Sequence, residues 1–259
     1  MDEKTNNKKK IAGLIAVIAV IAIVGGVAAG VVIGKRIKAQ RDYAAEQKFK
    51  ASQEALLGEE LDKILAMDPL EDEIDESIYA EKDYAKVEQS MKAYFTDFFA
   101  LLKKVNAFST DERFAILMNP DQMFADAPNF TSTLTAIDTL KNEYAENIDG
   151  ISVLMTSEKI DSYLDADLAQ EYVDIYDEMM TSGSTVIAET EMQEELNTSK
   201  EQMVSMLDKY KTMVDYLVST QGSWQLEGTT FMFTDQGTLD QYNAYVADLQ
   251  NAIEMLKKD

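Results

Sequence analysis

Apolar side chains recur along this chain in two rhythms. From Ile11 to Ile33 they form an unbroken run of 23 residues without a charge, whereas beyond residue 80 they return at every third or fourth position. The second rhythm belongs to helices that bury one face. Tyr84, Val87, Met91, Tyr94, Phe98, Leu101 and Val105 make the first such face, which Phe95, Phe99 and Leu102 widen to the breadth of a core. Phe130, Leu134, Ile137, Leu140, Tyr144, Ile148 and Ile151 make the next long one. Leu168, Tyr172, Ile175, Tyr176 and Met179 define a shorter helix, and Met203, Leu207, Tyr210, Val214 and Leu217 a long one. The last is marked by Leu239, Tyr242, Val246, Leu249, Ile253 and Leu256.

Local signals punctuate these faces. Ser109 with Glu112 and Thr238 with Gln241 have capping-box spacing, and Pro120 sits where a first helical position tolerates proline. Ser157 opens a short helix, and Gly222 closes the long one before it reaches "SWQLEGTTFMFTDQG". There, β-branched and aromatic residues flank Gly228, which predicts a small β-hairpin near residues 223–235. The expected fold is all-α: an N-terminal transmembrane helix followed by an antiparallel helical bundle of about six helices with one small β-hairpin. No repeat of 20 to 50 residues is visible.

The first rhythm carries a different implication. A charge-free helix of 23 residues is about 34 Å long, enough to cross a hydrocarbon core of about 30 Å. Lys8, Lys9 and Lys10 bound it on one side and Lys35, Arg36, Lys38 and Arg41 on the other. The organisation expected is a basic tail at 1–10, a transmembrane helix at 11–33 and a juxtamembrane helix within 34–66, with Gly58 a candidate stop. An acidic linker at 67–79, containing "DPLEDEIDES", then leads to the bundle domain at 80–259. "TSGSTVIAET" at 181–190 is the best internal hinge.

Glycines within the apolar run admit several readings. Gly26, Gly30 and Gly34 recur every fourth residue and form a bare stripe that lets a second helix approach closely, in a homo-oligomer or with a partner membrane helix. The same region also reads as a signal-peptide core with small residues Val27, Ala28 and Ala29 before a cleavage point, or as ordinary membrane-helix composition. A ten-residue basic tail followed at once by the run has the geometry of a signal anchor. Four lysines before the run against six Lys or Arg after it, through Lys50, nominally hold the body inside. The signal-anchor geometry is preferred over that count, so the body is expected outside the cytoplasm, on a single-pass anchor in the cell membrane.

Charge and composition narrow the chemistry. Residues 1–41 carry a net charge of +6 and residues 42–259 a net charge of -29, which gives -23 for the chain. A body so acidic repels phosphate backbones, so nucleic acid is not an expected partner. Cysteine and histidine are both absent. Their absence removes thiolate and imidazole chemistry: Ser-His and Cys-His pairs, histidine-bound zinc or haem, and the Glu-x-x-His di-iron bundle. No cofactor is expected, and no catalytic motif is found. The densest helical group of acids is Asp165, Asp167, Glu171, Asp174, Asp177 and Glu178, which permits weak cation binding but reads first as a solvated face. Trp224, the only tryptophan, either anchors an unknown protein partner or packs the hairpin onto the last helices.

Through "SEKIDSYLDADLAQEYVDIYDEMM" and "GSWQLEGTTFMF", joined to an N-terminal apolar run, the chain resembles an uncharacterised family of single-pass membrane proteins of Gram-positive bacteria with an acidic helical domain. The resemblance covers residues 80–257 and implies an envelope setting without an activity. The function expected is a non-enzymatic, membrane-anchored helical interaction domain, an envelope adaptor or assembly factor. The alternatives are a ligand- or cation-sensing helical bundle coupled to a membrane helix, and a secreted helical protein released by signal-peptide cleavage.

Overall fold

The computed structural model describes residues 41–117, 120–181 and 185–256. The apolar run, with Gly26, Gly30 and Gly34, lies outside the described residues, as do the whole expected transmembrane segment and its orientation. Among the described residues, no helix is long and apolar enough to cross a membrane. Nine α-helices appear among them: α1 (Arg41–Leu65), α2 (Asp83–Ala107), α3 (Glu112–Leu117), α4 (Pro120–Ala125), α5 (Thr131–Leu154), α6 (Ser157–Asp161), α7 (Gln170–Thr181), α8 (Thr185–Ser219) and α9 (Gln236–Met255). Strands β1 (Trp224–Glu227) and β2 (Thr230–Phe233) form the hairpin. Eight of the helices lie within 80–259, where about six were expected, because the short helices α3, α4 and α6 stand beside the longer ones.

Contacts divide the chain into two compact units, each built from separate stretches of sequence. One, here the hairpin unit, contains Lys104–Asp149 and Glu194–Asp259. The other, here the strap unit, contains the described residues up to Lys103 together with Gly150–Gln193. The acidic segment 67–79 lies inside the strap unit.

In the hairpin unit the core is the meeting of the expected faces. Phe130, Ile137, Leu140, Tyr144 and Ile148 are at most 2% exposed, and Leu207, Val214 and Leu217 are fully covered. Tyr144 and Ser199, both buried, share a 2.8 Å hydrogen bond. The Tyr210 hydroxyl donates to the carbonyl of Leu117 at 2.9 Å. β1 and β2 pair antiparallel in the register Trp224 to Phe233 and Glu227 to Thr230, leaving a two-residue loop. Gly228, with φ at +62°, opens that loop, a position glycine fills without the strain a side chain would bring.

Helix α6 opens at Ser157 as expected, while the caps of α3 and α9 are set two or three residues away from the expected places. Helix α3 begins after Asp111, whose carboxylate accepts the N–H of Arg113 at 2.8 Å, in place of the Ser109 box. Thr156, one residue before Ser157, accepts from Lys159 at the start of α6. Asp235 caps α9 by accepting from the Thr238 N–H at 2.9 Å, so Thr238 is the donor there and not the cap. An acid is the better acceptor at each of the two corrected acidic caps, since it adds charge favourable to the helix N-terminus.

The strap unit holds α1, the first part of α2, and α6 and α7. Leu57, Leu61 and Ile64 face inward from α1, and Tyr84, Val87, Met91, Tyr94 and Phe98 from α2. Helix α1 does not stop at Gly58: it runs on to Leu65, because the burial of Leu61 and Ile64 outweighs a helix penalty of about 1 kcal/mol for glycine. From α7, Tyr176 is fully covered and its hydroxyl donates to Ile160 O at 3.0 Å.

Candidate functional site

A buried charged cluster in the strap unit is the one place where ionisable groups converge away from water among the described residues. Glu60 comes from α1, and Glu88 and Lys92 come from α2 one turn apart, with residue exposures of 5%, 0% and 5%. Helical geometry explains the convergence. Glu60 falls on the inward grid with Leu57, Leu61 and Ile64, and Glu88 and Lys92 fall beside Tyr84, Val87 and Met91.

Three oxygens stand around the Lys92 ammonium, two in ion pairs and one accepting a hydrogen bond. Glu88 Oε1 is 2.7 Å away, Glu60 Oε2 3.1 Å away and the carbonyl of Ser77 2.6 Å away. Glu88 Oε2 in turn accepts the backbone N–H groups of Tyr79 and Ala80 at 2.8 and 2.7 Å. Lys63 pairs with Glu60 from the outer side. Two carboxylates and two ammonium groups thus balance. Burial alone would raise Glu60, yet the hydrogen bonds from Lys63 and Lys92 hold its carboxyl below the ordinary value. Burial alone would lower Lys92, and the bonds to Glu88 and Glu60 keep it above.

The consequence is a strap. Residues 66–82 form no helix, yet their backbone is fastened at several points. Lys103 Nζ donates to Asp72 O at 2.8 Å, and Gln53 Oε1 accepts from the Glu81 N–H at 2.7 Å. Tyr79, half-exposed, lays its ring 4.9 Å from the Lys92 ammonium and donates its hydroxyl to Asp75 at 2.6 Å. That hydroxyl bond, with the Ser77 N–H, pulls the exposed Asp75 carboxyl down to about 2. At its end the strap turns into α2 through Lys82, a non-glycine residue at φ +57° whose ammonium sits 4.3 Å over the Phe49 ring. Glu88 Oε1 is buried and accepts no hydrogen bond, and only the ion pair with Lys92 holds it. The arrangement closes a chain segment.

Trp224 is 8% exposed. Its indole N–H donates to Leu217 O at 2.8 Å, and its ring lies 5.1 Å from Phe231 and 6.0 Å from Phe130. It belongs to an aromatic group, continued by Phe231 and Phe233 to Tyr242, that fixes the hairpin against α9. That placement packs the indole within the unit. The acidic row on α7 and before it is partly neutralised: Asp165 pairs with Lys86 at 3.0 Å and Glu171 with Lys50 at 3.1 Å. Among the described residues no group of three or more acids is arranged to hold a metal ion.

Sequence reasoning passed over Glu60, Glu88 and Lys92. Among 47 acids no single one stands out by type, and the available signal was position: three charges on grids otherwise filled by leucine, isoleucine, tyrosine and valine. The chain matches no family model, no curated protein and no solved structure.

Proposed function

We propose that the protein is a membrane-anchored helical interaction domain, an adaptor or assembly factor of a bacterial envelope that works by holding a partner and not by catalysis. The observation that carries this reading is the charge-free run Ile11–Ile33, bounded by lysines and arginines and joined to a body of opposite charge. Such a chain concentrates an acidic surface next to a bilayer. The self-contained strap cluster is consistent with it, because buried charges spent on fixing a segment make a firm platform. The resemblance to single-pass Gram-positive proteins supports the envelope setting.

The test has two arms. In cells, the full chain should stay in the membrane pellet through alkaline carbonate extraction and keep its N-terminal run, as read by mass spectrometry of the intact protein. Recovery from the medium as a chain starting near Gly30 would replace the tether with a secreted protein. Photo-cross-linkers placed at several exposed positions should then give discrete adducts with one or a few neighbours. A membrane-retained chain with no adduct at any position would remove the adaptor reading.

A further inference from the structure

The strap and the helices beneath it are held by different forces. Leu57, Leu61 and Ile64 of α1 and Val87 and Met91 of α2 are buried. Between residues 66 and 82 only Pro69 and Ala80 are buried, while Ile78 and Tyr79 are 41% and 50% exposed. Apolar burial therefore fixes the helices, and hydrogen bonds fix the strap. Those bonds run from Asp72 O, held by Lys103, to the Glu81 N–H, held by Gln53. Between them, Ser77 O is held by Lys92, and the Tyr79 and Ala80 N–H groups by Glu88.

Each of these bonds replaces one to water that an open strap regains, so its net gain is small. Closure also keeps Glu88 and Lys92 dry, a cost that their attraction only partly offsets. Glu88 Oε1 shows the shortfall, since it is buried without a hydrogen bond. Opening uncovers the pair, because Ser77 O lies 2.6 Å from the Lys92 ammonium and the Tyr79 ring 4.9 Å from it. The fastenings are also linked to one another. Glu88 Oε2 holds two consecutive N–H groups, Lys92 bridges Glu88 to Ser77, and Asp75 accepts from both the Ser77 N–H and the Tyr79 hydroxyl. Loss of one loosens its neighbours. Each end has its own turn: the Asp72 N–H donates to Asp68 O at 2.8 Å on one side, and Lys82 stands at φ +57° on the other.

We propose that residues 72–81 open and close as one unit while α1 and α2 stay packed, so that the strap controls the access of water and solutes to Lys92 and Glu88. The helices keep their apolar seat in both states, and only the charged cluster changes its surroundings. The proposal goes beyond the adaptor reading and depends on neither an anchor nor a partner.

The experiment is amide hydrogen–deuterium exchange of the full chain in mild detergent, read at single residues by mass spectrometry with electron-transfer fragmentation. The Tyr79, Ala80 and Glu81 amides should share one protection, roughly a hundredfold below that of Val87 and Met91, and should not respond to low urea. Lys103→Met removes only the bond at Asp72 and should speed exchange at all three amides about fivefold, because one opening breaks every fastening. Val87 and Met91 should remain the better protected in that variant, which shows that it folds. A water-soluble N-hydroxysuccinimide acetate should acetylate exposed Lys48 rapidly in both proteins, and Lys92 slowly, with the same gain in Lys103→Met as the strap amides. One rate and one urea response for strap and α2 would mean that the strap opens only with the whole fold, and free-chain exchange at Tyr79 that it never closes. Either result overturns the proposal. So does unchanged exchange at Tyr79 to Glu81 in Lys103→Met, which is piecewise fraying. Labelling of Lys92 as fast as that of Lys48, or none while the strap amides exchange, overturns the control of access.

Discussion

Lys92 sits 2.7 Å from the carboxylate of Glu88, one turn earlier on the same helix, and both side chains are closed off from water. An ion pair so placed is held together by geometry, because desolvating either charge alone is costly. Lys92→Met should therefore leave Glu60 and Glu88 buried without their shared cation and destabilise the protein by about 3–5 kcal/mol. Adding Glu88→Gln should recover part of that loss, since the amide oxygen still accepts from Tyr79 and Ala80 without a charge. Urea denaturation of the three proteins, followed by circular dichroism, checks the order. A Lys92→Met protein as stable as the wild type would mean that the cluster is open to solvent.

Acid should loosen the hairpin unit through Asp126. The N-cap position of α5 is Phe130, which has no side-chain acceptor and sits at φ +50°; Asp126 reaches across and accepts the Thr133 N–H at 2.7 Å. Burial pushes this carboxyl up, but the hydrogen bonds from Thr133 and Ser132 bring it below its ordinary 3.8. A group lowered on folding stabilises above its unfolded value and loses that contribution as pH falls through the folded value. Asp126→Ala should cost about 0.5–2 kcal/mol at pH 7, and the gap from the wild type should close below pH 3.8. Thermal melts at pH 7 and pH 3 decide this; parallel gaps at both values would show that the carboxylate charge plays no part.

The faces of α2, α5 and α8 were legible because each buries a full stripe: Tyr84 to Phe98, Ile137 to Ile148 and Met203 to Leu217 lie inside as their spacing requires. The hairpin was legible for a similar reason, since Gly228 and the alternation around it leave few other choices. Position along a face says nothing, however, about what covers it. Leu239 to Leu256 show the same period as Met203 to Leu217 and are less completely buried. The strap escaped entirely. "DPLEDEIDES" has the composition of a free linker, and what fastens it are backbone groups reaching Glu88, Lys92 and Lys103, long-range bonds that no local pattern encodes. Caps slipped because Asp111 and Asp235 outcompete nearby serine and threonine by charge.

Gly58 is a helix-interior glycine with no structural demand on it. Its backbone carries no left-handed angle, and a Cβ built there meets nothing within 4 Å. Gly58→Ala should then raise stability by roughly 0.5–1 kcal/mol, by reducing the freedom of the unfolded chain. The measurement is the urea midpoint at unchanged slope. A loss of stability would show that α1 bends or pauses at this residue, the stop that its sequence invites.

Trp224 offers the sharpest division between a packing residue and a partner anchor. If it holds the hairpin down, as its contact with Phe130 and its bond to Leu217 O imply, Trp224→Ala removes the centre of an aromatic group and should cost about 3–5 kcal/mol. Trp224→Phe keeps a ring but abandons the 2.8 Å bond to the Leu217 carbonyl, for about 1 kcal/mol. An exposed anchor would instead tolerate either change within about 0.5 kcal/mol. In the wild type, emission from this single tryptophan should be blue-shifted and should move to the red in one step with unfolding of the hairpin unit. Red emission from the native protein, together with a silent alanine variant, would put the indole in water and return it to the surface as an anchor.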